Sequence, residues 1–208
     1  MEPFTRLTAL AMPLLRDNID TDAIIPSREM RDPAGRGLAD GLFAGWRYRA
    51  PGSRDPDPDF ILNQPRYSEA RILVAGANLG CGSSREHAVW ALAQYGFRAA
   101  IAPSFNPIFR GNCIANGLVP VQLPADDVIR IGALLESSAD PVLTVDLEQQ
   151  RVCLSDRIWP FEIASHDREA LLKGLDPIDQ TLLLRGRITE FRAVDAQRRT
   201  WAYSSIQR

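Results

Sequence analysis

The chain is 208 residues long, 45% hydrophobic and 24% charged, which is enough apolar material for a packed core and excludes a disordered or fibrous chain. Its 24 basic and 26 acidic residues leave a net charge of −2, so there is no basic field for a phosphate backbone, and nucleic acid is not an expected partner. The longest apolar runs, near residues 72–77 and 99–102, have strand length rather than the roughly 18 to 20 residues of a membrane span, and the N-terminus lacks the marks of a cleaved leader, so a cytoplasmic protein is expected.

In chain order, residues 4–25 read as a loop delivering a short strand at Ile24 and Ile25, with the acidic string DNIDTDAIIP (17–26) just before it. Residues 28–59 hold many glycines and prolines and read as an irregular surface segment. From residue 71 the pattern is regular: RILVAG is a buried strand, 84–95 a helix, FRAAIAP a strand, SFNPIFRGNCIANG a helix and LVPVQL a third strand. Such alternation implies parallel strands. A helix at 125–136 follows, then VLTVDL, RVCL and IWPFEI as an antiparallel meander, a helix at 165–173 and a C-terminal helix at about 178–198. The expected fold is α/β, one domain over 1–208 with a small parallel core and an added meander.

The densest chemical constellation is GANLGCGSSREHA (76–88), at the end of the first core strand, the edge where open α/β sheets collect ligands. Gly80 and Gly82 permit positive φ, and Ser83 with Glu86 matches a capping box that presents free amides to an anion. Ser83 as a plain cap, Arg85 as a solvated side chain and His87 as a satisfied helix-face residue is the alternative. A serine pair, an arginine and several glycines at one helix start exceed what a cap requires. A serine there acts as a base only if positive charge favours its alkoxide, and Arg85 and the helix N-terminus supply some. A Cys81 thiolate paired with His87 is a rival nucleophile. In DNIDTDAIIP the carboxylates fit either a cation loop or Asx turns. Asn106, Asn112 and Asn116 read as turn and cap residues, and Cys113 as a small buried hydrophobe. The three cysteines are widely spaced and odd in number, matching neither a disulfide framework nor a metal motif.

Taken together and in order, DNIDTDAIIP, DFILNQPRY (59–67), NLGCGSSREHAVWAL (78–92), YGFRAAIAPSF (95–105) and NGLVPVQL (116–123) resemble the small subunit of 3-isopropylmalate dehydratase, the swivel-domain relative of aconitase. The similarity spans about residues 8–183. It implies a swivelling β/β/α domain closing over a separate large subunit that carries a [4Fe–4S] cluster, with none bound by this chain alone. It implies a hydro-lyase active only with that partner, acting on a small dicarboxylate: 2- and 3-isopropylmalate in leucine biosynthesis, or, as an alternative, another substituted malate such as methylmalate, citraconate or dimethylmalate. A non-catalytic small-ligand binding module is the reading from another class. The resemblance implies Ser83 as catalytic base, and Ser84, Arg85 and Asp22 as substrate-binding residues. After IIP the chain departs from the family string and reads SREMRDPAGRGLADG. In the family this loop meets the variable substituent of the substrate, so Met30 for an apolar group and Arg28, Arg31 or Arg36 for a carboxylate are the candidates there.

Overall fold

The computed structural model describes residues 1–30, 37–82 and 85–203. The chain divides into two compact units, residues 1–174 and 175–208. In the first, seven strands among the described residues form one mixed sheet. They are β1 (Arg6–Leu14), β2 (Ile72–Ala75), β3 (Ala99–Ala102), β4 (Val119–Gln122), β5 (Val142–Asp146), β6 (Arg151–Leu154) and β7 (Arg157–Pro160), in the order β4-β3-β2-β1-β5-β6-β7.

β1 joins the two halves of the sheet and is the main departure from the sequence reading, which has a loop there. Its first half pairs antiparallel with β5, Arg6 facing Asp146 through Leu10 facing Val142. Its second half pairs parallel with β2, Ala11 facing Ile72 through Leu14 facing Ala75. The exposed-to-buried alternation of a half-buried strand is confined to the first residues, while Ala11 to Leu14 are buried on both faces. Rich in Leu, Ala and Met and broken by Pro13, this segment has no clear period of two. Beyond Leu10 it has a strand partner on one side only, where a proline without an N–H is tolerated. The expected short strand at Ile24 and Ile25 is instead the end of a helical turn, α1 (Thr21–Ile24), with Ile25 as its C-cap.

The rest of the parallel half follows the alternation read from the sequence. β2, β3 and β4 are parallel neighbours, and β5, β6 and β7 form the antiparallel meander. Successive strand residues point to opposite faces, which gives two cores. Leu73, Ala75, Ala100 and Ala102 share one core with buried residues of α3 (Glu86–Tyr95) and α4 (Pro107–Ala115). Ile72, Val74, Ala99 and Ile101 share the other with Val128, Ile131 and Leu135 of α5 (Ala125–Ser137) and with β5 to β7. Helices on both faces explain why these strands read as continuous apolar runs. Pro120 and Pro160 sit on the edge strands β4 and β7, where a missing donor costs no ladder bond.

The segment read as irregular holds, where described, short helical turns, among them α2 (Ala44–Arg47), and from residue 48 to 59 irregular backbone with one isolated bridge between Tyr48 and Pro56. Helix α6 (Ser165–Lys173) ends at Gly174 with φ +67°, as its position predicts. In the second unit the expected single helix is two: α7 (Pro177–Leu182), opened by an Asp176/Asp179 capping box, and α8 (Arg185–Arg198). Leu183 and Leu184 separate them as the C-cap of one and the N-cap of the next.

Candidate active site

The three motifs meet at the C-terminal ends of the parallel strands. Past Leu14 and Ala75, the chains leaving β1 and β2 stay hydrogen-bonded to each other. Gly76 N donates to Arg16 O (3.1 Å), Asn18 N to Ala77 O (2.8 Å), Gly80 N to Ile19 O (2.8 Å) and Thr21 N to Cys81 O (3.0 Å). The loop after β3 joins in the same way: Leu79 N donates to Ser104 O (3.0 Å) and Asn106 N to Leu79 O (2.9 Å). Each such bond contributes about 1 kcal/mol net, and together they make these loops an ordered extension of the sheet.

Two of the three aspartates of the acidic string are used by the backbone, as the Asx reading expects. Asp17 Oδ1 accepts from Ala77 N (2.7 Å), and Asp20 Oδ1 from Ala23 N (2.6 Å) at the start of α1. Asp22 remains, and it faces the other motif: Arg85 Nη1 donates to Asp22 Oδ1 at 2.5 Å. The Asp22 side chain is 56% exposed and that of Arg85 29%, so the pair contributes at most about 1 kcal/mol to stability and stays open to exchange with another anion.

Backbone shape brings Arg85 there. Gly80 has φ +76°, and a Cβ on it would collide with the Phe109 ring of α4; Gly82 has φ +88°. Only glycine meets both demands at position 80 without strain. The expected capping serine, Ser83, lies outside the described residues. Arg85, in extended conformation, is the N-cap of α3, no side chain among the described residues caps the helix, and Glu86 occupies the first helical position. Glu86 Oε1 instead accepts from Asn116 Nδ2 (3.0 Å), while Trp90 Nε1 donates to Asn116 Oδ1 (3.0 Å), tying the start of α3 to the C-cap of α4. Asn106 is the N-cap of α4, accepting from Ile108 N and Phe109 N, and Cys113 is fully buried in the core. Burial pushes the Cys113 thiol far above its ordinary range.

Of the residues singled out in the sequence, Asp22 and Arg85 are brought into contact. Ser83 and Ser84 lie outside the described residues, between Gly82 and Arg85 in the chain, as do Arg31 and Arg36. His87 packs its ring 4.7 Å from that of Trp90, as a helix-face residue does. Met30 is packed against the core, and Arg28 Nε lies 3.4 Å from Glu29 Oε1. A further residue escaped the sequence reading: Thr21, fully buried between the two aspartates, whose Oγ1 has no hydrogen-bond partner. Its only signal is its place in the DTD string. Among the described residues no group of three or more His, Cys, Asp or Glu side chains is placed to hold a metal ion, and no helix is long and apolar enough to cross a membrane.

The same arrangement of strands and loops defines a class. Residues 1–126 match the Aconitase C-terminal domain family. Across nearly full length the chain is 53% identical to the 3-isopropylmalate dehydratase small subunit of Cupriavidus necator, covering 98% of this chain and 99% of that one. It is 46% identical to the subunit of the same name from Rhodospirillum centenum, covering 97% and 99%. The crystal structure of 3-isopropylmalate dehydratase from Methanocaldococcus jannaschii superposes with a TM-score of 0.65 at 28% identity, over 90% of this chain and 99% of that chain. The chain belongs to the 3-isopropylmalate dehydratase small-subunit family, within the Aconitase C-terminal domain class.

Proposed function

We propose that this chain is the small subunit of a cytoplasmic hydro-lyase that interconverts 2-isopropylmalate and 3-isopropylmalate through 2-isopropylmaleate in leucine biosynthesis. The whole chain, 1–208, serves as one swivelling domain that closes over a large subunit and is active only with it. The observation that carries the reading is the Arg85–Asp22 pair, held by two sequence-distant loops that are hydrogen-bonded to each other at the C-terminal strand edge.

The residues of this chain do not fit an iron–sulfur cluster: Cys113 is buried with a raised thiol pKa, Cys81 lies in the loop after β2 and Cys153 in β6. Membership of the Aconitase C-terminal domain family supports a cluster on the large subunit, and this chain's cysteines take no part in the proposed step. What this chain supplies is a binding and proton-handling surface. Arg85 presents a fork of donors to a substrate carboxylate, and a dicarboxylate competes with Asp22 for it. Asp22, itself an anion, contacts an anionic substrate favourably only through Arg85 or a substrate hydroxyl. Ser83 takes the proton from the carbon next to the one whose hydroxyl leaves, the leaving hydroxide takes up a proton from an acid on the large subunit and departs as water, and Ser84 donates to a substrate carboxylate. The reverse sequence adds water at the neighbouring carbon. A serine is a poor base in water, so the step requires a closed, dry site in which Arg85 favours the alkoxide.

The test is Ser83→Ala in the complex with the large subunit. Turnover is expected to disappear while complex formation and cluster content stay as in the wild type. Unchanged turnover would remove Ser83 from the mechanism.

A further inference from the structure

At the N-terminal ends of the parallel strands, away from the loops just described, a cavity of about 160 Å³ is lined by three arginines, Arg6, Arg71 and Arg98. Arg71 immediately precedes β2 and Arg98 precedes β3, and Arg98 N donates to Arg71 O at 2.8 Å, which sets the two side by side. Arg98 is fixed. Its guanidinium lies 5.8 Å from the centre of the Phe4 ring, pairs with the Glu2 carboxylate, and reaches the carbonyls of Glu2 and Pro3, each at 3.4 Å. Its side chain is only 17% exposed.

The other two guanidiniums are not neutralised. Among the described residues neither the Arg6 nor the Arg71 side chain has a hydrogen bond or ion pair. Arg6 faces Asp146 across the ladder, but the Asp146 oxygens are turned to Gln149 N (2.8 Å) and Arg151 Nη2 (3.8 Å). Three arginines and one acidic residue, Glu2, thus line one small cavity in a chain whose net charge is −2.

We propose that this cavity binds a small dianionic oxyanion, of the size and charge of phosphate or a short dicarboxylate. Arg6 and Arg71, both in the lining, supply guanidinium forks for it, and Thr5 in the same lining supplies a hydroxyl donor. Glu2, 76% exposed, is the internal competitor for Arg98.

The full-length chain is titrated with inorganic phosphate and, separately, with malate, by calorimetry and by thermal melting, at an ionic strength held constant with sodium chloride. Saturable binding of one or both is expected, and the stronger arm states whether the ligand is tetrahedral or a carboxylate. Arg71→Gln and Arg6→Gln, both exposed positions, should each weaken it about tenfold, the worth of a charge-assisted fork. Glu2→Gln should tighten it. Opposite signs from neighbouring neutralisations are not what a general loss of fold produces. Arg85→Gln should leave the phosphate response unchanged. No saturable response beyond that of chloride would overturn the proposal, as would a response abolished by Arg85→Gln but not by Arg71→Gln, since that would place the anion at the other end of the strands.

Discussion

Arg85 and Asp22, 63 residues apart in the chain, meet at 2.5 Å between Nη1 and Oδ1, and neither belongs to a strand. They meet because the loops that carry them prolong the β1–β2 pairing beyond the last strand residues, through Asn18, Ile19 and Thr21 on one side and Ala77, Gly80 and Cys81 on the other. The pair is partly solvated, so its value is positional.

Asp22→Asn should therefore change stability by less than about 1 kcal/mol while releasing the Arg85 side chain. With the large subunit present, KM for substrate is expected to change for both Asp22→Asn and Arg85→Gln, with Arg85→Gln raising it by roughly tenfold or more. The double variant should resemble Arg85→Gln alone, because Asp22 acts through Arg85. Additive effects in the cycle would mean that Asp22 meets substrate independently.

Gly80→Ala is expected to destabilise the chain by at least about 2 kcal/mol, since φ +76° and the Phe109 ring both oppose a Cβ. Gly82→Ala has φ +88° but no heavy atom of the described residues nearer than 3.4 Å, so it should cost about 1 kcal/mol, from the backbone alone. Urea midpoints of the two variants check the difference, and equal midpoints would contradict the Phe109 contact.

Asn106→Ala removes the acceptor for Ile108 N and Phe109 N at the start of α4. A loss of about 1 kcal/mol is expected, read as a lower melting temperature. Asn106→Asp should recover most of it, because a carboxylate caps the same amides.

Cys113 should resist alkylation in the native protein even at alkaline pH, since burial holds its thiol neutral, and react only on unfolding. Cys81 and Cys153 are partly exposed and should label first. Peptide mapping after timed iodoacetamide treatment distinguishes them, and early labelling of Cys113 would contradict its buried position.

The parallel half of the fold was legible because β2, β3 and β4 are buried on both faces and separated by helices with clear ends, so composition alone marks them. Helix α6 and the meander were legible for similar reasons, each bounded by turn residues. β1 was not, because it changes partner and pairing sense at Leu10 and carries a proline, so neither strand pattern runs its full length. The break at Leu183 and Leu184 carries no glycine or proline, and nothing local announces it. In the candidate site, Asp22 and Arg85 were singled out through the motifs, and their direct contact is a product of loop pairing that spacing does not encode. The Glu86 carboxylate accepts from Asn116, 30 residues away, a partner that local spacing does not indicate. Thr21 had no signal beyond its neighbours, since an unpartnered hydroxyl is a property of packing.

The most direct test of the proposed function is anaerobic co-expression with the large subunit, followed by turnover of isopropylmalate beside citramalate, dimethylmalate and citrate. A cluster-bearing complex that prefers isopropylmalate, with neither chain active alone, is the expected result. A complex that prefers another acid would contradict the substrate assignment, and the absence of both complex and turnover would contradict the subunit role itself.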